Sequence, residues 1–485
     1  MFLQDLDDAR TCLSALNGTL VGVGMTAFSR IIPAAFLDAY CVIALKKTRD
    51  LPLLRERMPV FCLEEAVGSS RVGGIARSDA LLAHGTVMDY LASLHDPKHL
   101  FIYQNYPSLT AMAGQAGWRL LANPASLQMK AGDRAFFMEM MNRLGLPGIP
   151  GAIHPIQVLN QKRYAHWVDV LGPELVIQLP DMRQGGGRGT FFIRSGEDYD
   201  RVRDRLCRRR WRGIALETVS IRRMIRGISA SVTLCLTRHG ILMSGLQRQL
   251  VDLPYLNGEP EDGIFCGHSW GSEPWSSYSR QQAADQARRM GAYLWDMGVK
   301  GIIGIDFVIG QRDRMPYPVE LNPRLTGAFP MLSMLHLEAG WLPMELFHLL
   351  AFLNLPHSVD VHALNEQYAR PLTGSHLLIF KGSGEETIQA PVLKPGLHEV
   401  DMETGRAVFI KPALSYDAIQ HSRQFIVIDG PPDGGGEGAA SPDSRSRLCH
   451  LLFSDPIMDR NGNLSSEAAL AAEWVHEKLI RGTRP

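Results

Sequence analysis

Residues 301–309 read GIIGIDFVI and are followed at 317–327 by YPVELNPRLTG. Both stretches are rich in apolar residues and predict strands, and the polar segment 311–316 between them predicts a hairpin. The hairpin brings Asp306 of the first strand opposite Glu320 of the second. Facing carboxylates repel each other across a strand pair unless a cation lies between them. The pair therefore indicates a site for a divalent metal ion.

The polar residues of the second strand lie at alternate positions, which places Glu320, Asn322 and Arg324 on one side of it. Such alternation is also typical of an ordinary half-buried strand, with Val319 and Leu321 facing the core. The chemistry of the three polar side chains favours a functional interpretation. Carboxylate and amide oxygens suit Mg²⁺, and a guanidinium is a planar fork that binds phosphate or carboxylate.

The bulk composition is that of a globular protein. The chain has 485 residues, 45% of them hydrophobic, and its 50 Lys and Arg balance its 50 Asp and Glu. This size predicts roughly two to four domains. A net charge near zero gives no electrostatic reason to expect nucleic acid or an anionic membrane as a partner.

The cysteines and the N-terminus predict a cytoplasmic protein. The seven cysteines are scattered and never spaced CxxC, which argues against a disulfide framework or a zinc ribbon. The first ten residues, MFLQDLDDAR, lack the profile of a signal peptide. Arg30 and Asp38 interrupt the longest apolar run, so we expect no membrane span.

An open α/β layer is predicted for the N-terminal section. The segments TLVGVG (19–24), CVIAL (41–45) and FIYQNYPS (101–108) fit its strands. The turn GVGMTAF (22–28) is compatible with a dinucleotide-binding loop. It lacks the third spaced glycine of GxGxxG, and no acidic residue is evident at the end of a following strand. A nicotinamide cofactor is therefore not favoured.

A glycine-rich loop, QGGGRGT at 184–190, lies between two predicted strands. Three adjacent glycines leave backbone N–H groups open to an oxyanion, and Arg188 adds a positive charge. An ordinary hairpin turn is the alternative, although such a turn needs only two permissive residues. The loop is a candidate phosphate-binding segment.

A further strand, IALETVS (214–220), carries an acidic residue, Glu217, near its end. This carboxylate could accept a hydrogen bond from a ribose hydroxyl or from the amino group of adenine. A glutamate at a strand end is common, however, so the feature gains weight only from its neighbours.

The order of these features resembles the ATP-grasp superfamily. A GDR helix start at 132–134 comes first, the strand LVIQLP and the loop GGGRG follow, and LET, Asp306 and ELNPR complete the series. The likeness is particularly to biotin carboxylase and the carboxylate–amine ligases, which carry a GDK helix start, a GGGGRG loop and an E…EMNxR metal cluster. It covers roughly residues 126–355, and GGGRG and VELNPR are its specific parts.

The resemblance implies a chain of α/β and α+β class, with an ATP-grasp fold behind an N-terminal open α/β domain (a pre-ATP-grasp domain). The division that follows is a pre-ATP-grasp domain at 1–125, an ATP-grasp subdomain with the phosphate loop at 126–215, an ATP-grasp subdomain with the metal cluster at 216–356, and a C-terminal region at 357–485 with a flexible loop at 430–447.

The resemblance also implies ATP as cofactor. Glu217 would bind its ribose or adenine, and the backbone of Val219 would form the hinge contact. The residues that would fold over the phosphates are Gly185, Gly186, Gly187 and Gly189.

Two nucleotide-binding positions depart from the family pattern. Arg134 stands where the family has Lys after GD, and it keeps the positive charge. Gln178 stands where the family has Lys in the strand before the loop, and it does not. A neutral amide binds phosphate more weakly than an ammonium. Arg183 and Arg188 are candidates to compensate.

For the chemistry, the resemblance implies a metal set and three arginines. Arg324 would stabilise the transferring phosphoryl group or the acyl phosphate, Arg188 would add a positive charge for phosphate, and Arg226 would lie near the acceptor site, where it could hold a substrate carboxylate. The residues that would hold one or two Mg²⁺ (or Mn²⁺) ions are Asp306, Glu320 and Asn322.

We expect an ATP-dependent ligase that activates a carboxylate as an acyl phosphate and joins it to an amine, such as an amino acid or a peptide. LTGAFPML stands where biotin carboxylase has QVEHPVTE, which argues against a carboxylase. The long N-terminal section is more similar to peptide ligases of peptide-antibiotic pathways, and so to secondary metabolism. The alternatives are a ligase that loads a carrier-protein thiol and a catalytically silent nucleotide-binding relative. A homodimer is compatible with the resemblance.

Overall fold

The computed structural model describes residues 1–180, 189–207, 209–211, 214–253, 263–271, 275–381, 386–387, 393–431, 446–459 and 462–481. Of the loop predicted at 430–447, residues 432–445 therefore lie outside the described residues. No described helix is long and apolar enough to cross a lipid bilayer.

The N-terminal section forms a parallel sheet of five strands. The strands are β1 (Thr19–Gly24), β2 (Tyr40–Ala44), β3 (Val60–Cys62), β4 (Lys98–Phe101) and β5 (Arg119–Leu120). The helices are α1 (Leu6–Leu13), α2 (Leu51–Arg55), α3 (Leu63–Val67), α4 (Ser78–Leu82), α5 (Gly85–Ala92) and α6 (Pro107–Ala116). The spatial order is β3-β2-β1-β4-β5. Leu20 and Val21 of the central strand pack into different hydrophobic clusters, because a parallel strand is covered on both faces.

A second, antiparallel sheet follows. Its section contains α7 (Ala125–Ala131), α8 (Arg134–Arg143), β6 (Gly151–Pro155), α9 (Val158–Gln161), α10 (Tyr164–Leu171), β7 (Leu175–Gln178), β8 (Thr190–Ile193), α11 (Gly196–Leu206), β9 (Arg210–Trp211), β10 (Ile214–Ala215) and β11 (Thr218–Arg223). Four described strands pair in the order β6-β11-β7-β8. One face carries Ile177, Val219 and Ile221 and packs under α10 and α11. The opposite face carries Gln178 and Arg222 and is not covered by these helices.

The third sheet joins eleven described strands. The strands of this section are β12 (Gly227–Thr237), β13 (Gly240–Met243), β14 (Gln247–Val251), β15 (Phe265–Trp270), β16 (Gly301–Gly310), β17 (Pro316–Asn322), β18 (Gly374–Lys381), β19 (Glu386–Thr387), β20 (Gly396–Val400), β21 (Ala407–Lys411), β22 (Gln424–Ile428), β23 (Ser446–Phe453) and β24 (Ile480–Arg481). The helices are α12 (Ser277–Asp296), α13 (Met331–Glu338), α14 (Met344–Leu353), α15 (Val361–Tyr368) and α16 (Ser466–Leu479). The order is β17-β16-β12-β14-β15-β18-β23-β22-β20-β21, and β13 pairs with β12.

Side chains on β16 alternate between a helix-covered face and a second face that continues into a cleft. Ile303 and Ile305 pack with the apolar side of α12. Asp306 and Gly304, at the even positions, point the other way and line the cleft. The predicted hairpin is confirmed, because β16 and β17 pair antiparallel.

Two predicted boundaries fall inside sheets. β11 pairs with β6 and β7, so the four-stranded sheet extends past 215 to Arg223. Strand β18, after the boundary at 356/357, pairs with β15 before it, and β23 pairs with β18. The region predicted as C-terminal therefore continues the sheet that contains β16 and β17.

Candidate active site

A cleft of about 1510 Å³ lies where the three sheets meet. One wall is the carboxyl edge of the parallel sheet, where Gly24 ends β1 and Leu45 and Tyr103 follow β2 and β4. Ligands of open α/β sheets bind at this edge, next to the point where the strand order reverses. The uncovered face of the four-stranded sheet and the cleft face of the large sheet form the other walls.

Asp306 and Glu320 are direct neighbours across β16 and β17. The side-chain amide of Gln249 donates a hydrogen bond to Oδ1 of Asp306 at 2.8 Å, and that of Asn322 donates to Oδ2 at 3.0 Å. Burial, followed by the charge of Glu320, raises the pKa of Asp306. Two amides thus hold one carboxylate in place beside a second one, an arrangement that a cation would stabilise.

The donor set fits a hard divalent cation that is shared with phosphate oxygens. Among the described residues, no group of three or more His, Cys, Asp or Glu side chains could enclose a metal ion. Mg²⁺ is usually bound by one or two carboxylates together with water and substrate phosphates. Asp306 and Glu320, with the amide of Asn322, offer the ligands for such a site.

Arg324 connects the end of β17 to the parallel sheet. Its Nη1 donates to the hydroxyl of Tyr103 at 2.6 Å and to the carbonyl of Leu325 at 3.0 Å. Its guanidinium carbon lies 5.0 Å from the centre of the Tyr103 ring. The guanidinium lines the cleft on the same strand end as the carboxylates, where it can meet a developing negative charge.

The uncovered face of the four-stranded sheet presents two arginines around Gln178. Arg134, the first residue of α8, donates from Nη1 to the amide oxygen of Gln178 at 2.7 Å. The amide nitrogen of Gln178 donates to Thr190 on β8 at 3.3 Å. Arg222 lies on the same face and lines the cleft with Gln178.

Most of the predicted glycine loop, namely Gly185, Gly186, Gly187 and Arg188, lies outside the described residues. Gly189 has a φ of +80°, a conformation that favours glycine. Its carbonyl accepts a hydrogen bond from the backbone of Leu179 at 3.0 Å. Gly189 thus closes the base of the loop between β7 and β8, and it is not part of the cleft lining.

The structure does not bring Glu217 and Val219 to the cleft. Val219 is fully buried in the core between β11 and its helices, and Glu217 lies in the exposed link before β11. The physical reason is that Val219 points to the face of β11 that α10 and α11 cover, and that Glu217 precedes the strand. Residues 222–226, at its end and in the link to β12, line the cleft instead.

Arg226 lines the cleft, but its guanidinium already has a partner. Its Nε and Nη2 donate to the two carboxylate oxygens of Glu174 at 2.7 and 2.6 Å. Binding a substrate carboxylate would require this ion pair to open. The predicted role of Arg226 thus remains a prediction.

A family model matches the part of the chain that contains β16 and β17. Residues 182–328 match the model of the ATP-grasp domain. The chain carries an ATP-grasp domain. The matched segment contains the glycine loop, β12, β16 and β17, and therefore the strands that carry Asp306 and Glu320. No curated protein sequence matches the chain.

Several solved structures share the fold of this chain at low sequence identity, both within the segment that matches the ATP-grasp domain and on either side of it. A biotin carboxylase–ATP complex from Campylobacter jejuni is 13% identical, with 97% of this chain and 93% of that chain covered and a TM-score of 0.59. A carboxyaminoimidazole ribonucleotide synthase from Aspergillus clavatus, complexed with ATP, is 13% identical over 96% and 99%, with a TM-score of 0.54. The biotin carboxylase domain dimer of the Hydrogenobacter thermophilus 2-oxoglutarate carboxylase, with MgADP, is 12% identical over 91% and 87%, with a TM-score of 0.56. The shared architecture extends over nearly the whole chain.

The sequence analysis did not identify two residues that line the cleft, Gln249 and Arg222. Gln249 on β14 reaches Asp306 only because β14 and β16 both pair with β12. No local pattern signals that contact. Arg222 could have been found as a polar-face residue, since Ser220 and Arg222 alternate with the apolar Val219 and Ile221.

Proposed function

We propose that the chain is an ATP- and Mg²⁺-dependent ligase that activates a carboxylate as an acyl phosphate and joins it to an amine. The observation that carries the proposal is the pair Asp306–Glu320, which lies next to Arg324 in a cleft shared by three sheets. The ATP-grasp match and the fold of the nucleotide-bound neighbours support it.

Asp306, Glu320 and Asn322 would hold the metal ion, which supplies positive charge beside the phosphates when bound. The role of the protein is then to fix the reacting groups and to compensate spread charge, because phosphoryl transfer needs little covalent chemistry from side chains. Gln249 keeps both oxygens of Asp306 oriented together with Asn322. Arg324 contributes a guanidinium that the hydroxyl of Tyr103 holds at the rim of the parallel sheet.

The proposed reaction has two steps. A carboxylate oxygen of the acid attacks the γ-phosphorus of ATP, the bond to the β,γ-bridging oxygen breaks, and ADP leaves. The amine nitrogen then attacks the carbonyl carbon of the acyl phosphate, and phosphate leaves with the electron pair of the broken C–O bond. The amine loses a proton in this step, so the products are the amide, ADP and phosphate.

The part of the cleft beside the parallel sheet suits an anionic acid substrate. Arg30, Lys46, Arg77 and Arg447 line it, with the ring of Tyr106 among them. Three of these cations are already paired with acids, since Lys46 pairs with Glu64 at 3.3 Å, Arg77 with Asp79 at 2.6 Å and Arg447 with Asp429 at 2.7 Å. An acid substrate would find its complement in Arg30, which forms no ion pair with a described acid, or would displace one of the paired acids.

The test is ADP release by the purified chain with ATP, Mg²⁺ and a panel of amino acids and peptides. Release that depends on a free amine substrate supports the amide-forming ligase, and release that requires a carrier protein supports a thioester-forming enzyme instead. Glu320→Ala should abolish turnover with the fold intact, whereas the exposed Glu366→Ala should not. The assignment of the metal site is wrong if Glu320→Ala retains turnover, and absence of nucleotide binding in calorimetry would overturn the proposal.

Three further parts of this proposal need their own measurements. Genes adjacent to the coding sequence test a role in secondary metabolism, and cell fractionation tests the cytoplasmic location. Light scattering of the purified chain tests a homodimer, the arrangement in which the biotin carboxylase domain of the Hydrogenobacter thermophilus enzyme was crystallised.

A further inference from the structure

Arg222 is a buried cation, and two of its side-chain nitrogens have no hydrogen-bond partner among the described residues. The residue is 6% exposed, and its Nε and Nη2 make no hydrogen bond with any described residue. An unpaired buried guanidinium is costly, because its charge loses hydration and gains nothing in return. The Arg222 side chain nevertheless lines the cleft, so its guanidinium borders the space that a ligand would enter.

A second cation lies beside it. Burial, followed by the charge of Arg134, lowers the pKa of Arg222 to about 10. Burial lowers the pKa of Arg134 as well, and the charge of Glu320 opposes that shift without forming an ion pair. Two neighbouring guanidiniums with one distant acid make a local excess of positive charge that an anion would relieve.

The backbone around Arg222 is built to admit this side chain. Gly151 of β6 is its cross-strand neighbour, and a Cβ there would lie 2.8 Å from Cγ of Arg222 and 2.3 Å from the carbonyl oxygen of Ile221. Any side chain at 151 would therefore collide with the arginine stem. The glycine leaves room for the stem to run along the sheet toward the cleft.

Gln178 occupies the position between these cations and the loop strand, and its amide is engaged at both ends. Its oxygen accepts from Arg134, and its nitrogen donates to Thr190. A glutamine bound in this way holds Arg134 in place. It is not free to replace a lysine that contacts phosphate.

We propose that Arg222 and Arg134 together bind the phosphate chain of the nucleotide, and that Gln178 positions Arg134 rather than contacting phosphate. This inference rests on the proposed use of ATP. Arg222, on the strand beside that of Gln178, would supply the positive charge that glutamine lacks, and it would bind the polyphosphate directly. The guanidinium fork can donate two parallel hydrogen bonds to phosphate oxygens, which a single ammonium cannot.

The experiment is calorimetric titration of the full chain with ATP, ADP and adenosine at constant Mg²⁺. Arg222→Gln should weaken ATP and ADP binding by about tenfold to 100-fold, the range expected for lost charge-assisted hydrogen bonds. Adenosine binding should change little, because it has no phosphate. Arg222→Lys should recover part of the affinity, and Arg201→Gln, an exposed arginine on α11, is the matched control.

A second variant distinguishes this inference from the alternative that Gln178 only weakens a phosphate contact which a lysine would make. Gln178→Lys introduces a third cation and removes the acceptor of Arg134, so it should weaken ATP binding rather than strengthen it. Tighter ATP binding by Gln178→Lys, or an unchanged ATP affinity of Arg222→Gln, would overturn the inference. An equal loss for adenosine and ATP would do so too, since it indicates a purely structural role. If the unmodified chain binds none of these ligands, the proposed function itself fails.

Discussion

The Nη1 group of Arg324 donates a 2.6 Å hydrogen bond to the hydroxyl of Tyr103. This bond joins the segment after β17 to the carboxyl edge of the parallel sheet. Tyr103 follows β4 at the carboxyl edge, and the two residues are 221 positions apart in sequence. The position of the arginine in the cleft thus depends on how the N-terminal domain sits against the ATP-grasp domain.

Tyr103→Phe removes this acceptor and leaves the ring. We expect kcat to fall by about tenfold, the cost of one hydrogen bond to a charged group, while KM for ATP changes less. Steady-state kinetics with saturating acid and amine provide the measurement. Tyr278→Phe, an exposed tyrosine on α12, is the control. An unchanged kcat would show that Arg324 needs no anchor on the N-terminal domain.

Glu320→Gln should separate stability from metal use. The change removes one of two facing charges, and we expect the free energy of unfolding without ligands to stay equal or to rise by up to about 1.4 kcal/mol, the equivalent of one pKa unit. Stabilisation by Mg²⁺ and ADP together should shrink sharply, because a ligand of the metal is lost. Thermal unfolding with and without both ligands measures the two effects. Equal stabilisation of variant and parent would contradict the metal assignment.

Asp50 is expected to make stability depend on pH. It is fully buried beside Asp429, and burial, followed by the charge of Asp429, raises its pKa to about 7. The unfolded value is about 3.9, so the folded state binds the extra proton between these values and stability falls by up to about 1.4 kcal/mol per pH unit as pH rises from about 4 to about 7.

Asp50→Asn should remove this dependence. Asparagine still offers an oxygen to the backbone N–H of Asp429, which donates to Asp50 at 2.8 Å. Relative to the parent, the variant should gain stability at pH 8 and gain little at pH 4. Urea unfolding at the two pH values provides the measurement, with the exposed Asp7→Asn as control. A difference that is the same at both pH values would refute the titration of Asp50.

Arg226 and Glu174 form a pair on the surface of the cleft, and we expect their substitutions to be nearly equivalent. The Arg226 side chain is 69% exposed, and exposed pairs contribute about 0–1 kcal/mol. Arg226→Gln and Glu174→Gln should therefore each change KM for the acid by less than about threefold. A large rise in KM for Arg226→Gln alone would instead support the predicted binding of a substrate carboxylate by Arg226.

The sequence predicted the fold and the hairpin of β16 and β17, because both depend on local patterns. Asp306 and Glu320 meet across a short hairpin, and period-two alternation places them on one face. Glu217 and Val219 could not be placed in this way. The part of β11 that reaches the cleft depends on its pairing with β6 and β7, which are distant in sequence.

The sequence likewise did not predict which strands join the large sheet. β15 pairs with β18, which lies more than a hundred residues later in the sequence. β18 in turn pairs with β23, about seventy residues further on. Hydrophobic alternation reports that each strand has a buried face, but it does not name the partner strand.

The placement of β23 has a consequence for the order of assembly during translation. This strand lies between β18 and β22 in the large sheet. The two parts of that sheet therefore cannot be joined until residue 453, the end of β23, has left the ribosome. Until then β18 presents an unpaired edge to the crowded surroundings of the nascent chain, where such edges invite association with other strands. A fragment that stops at the end of the matched family segment would leave β15 with the same unprotected edge.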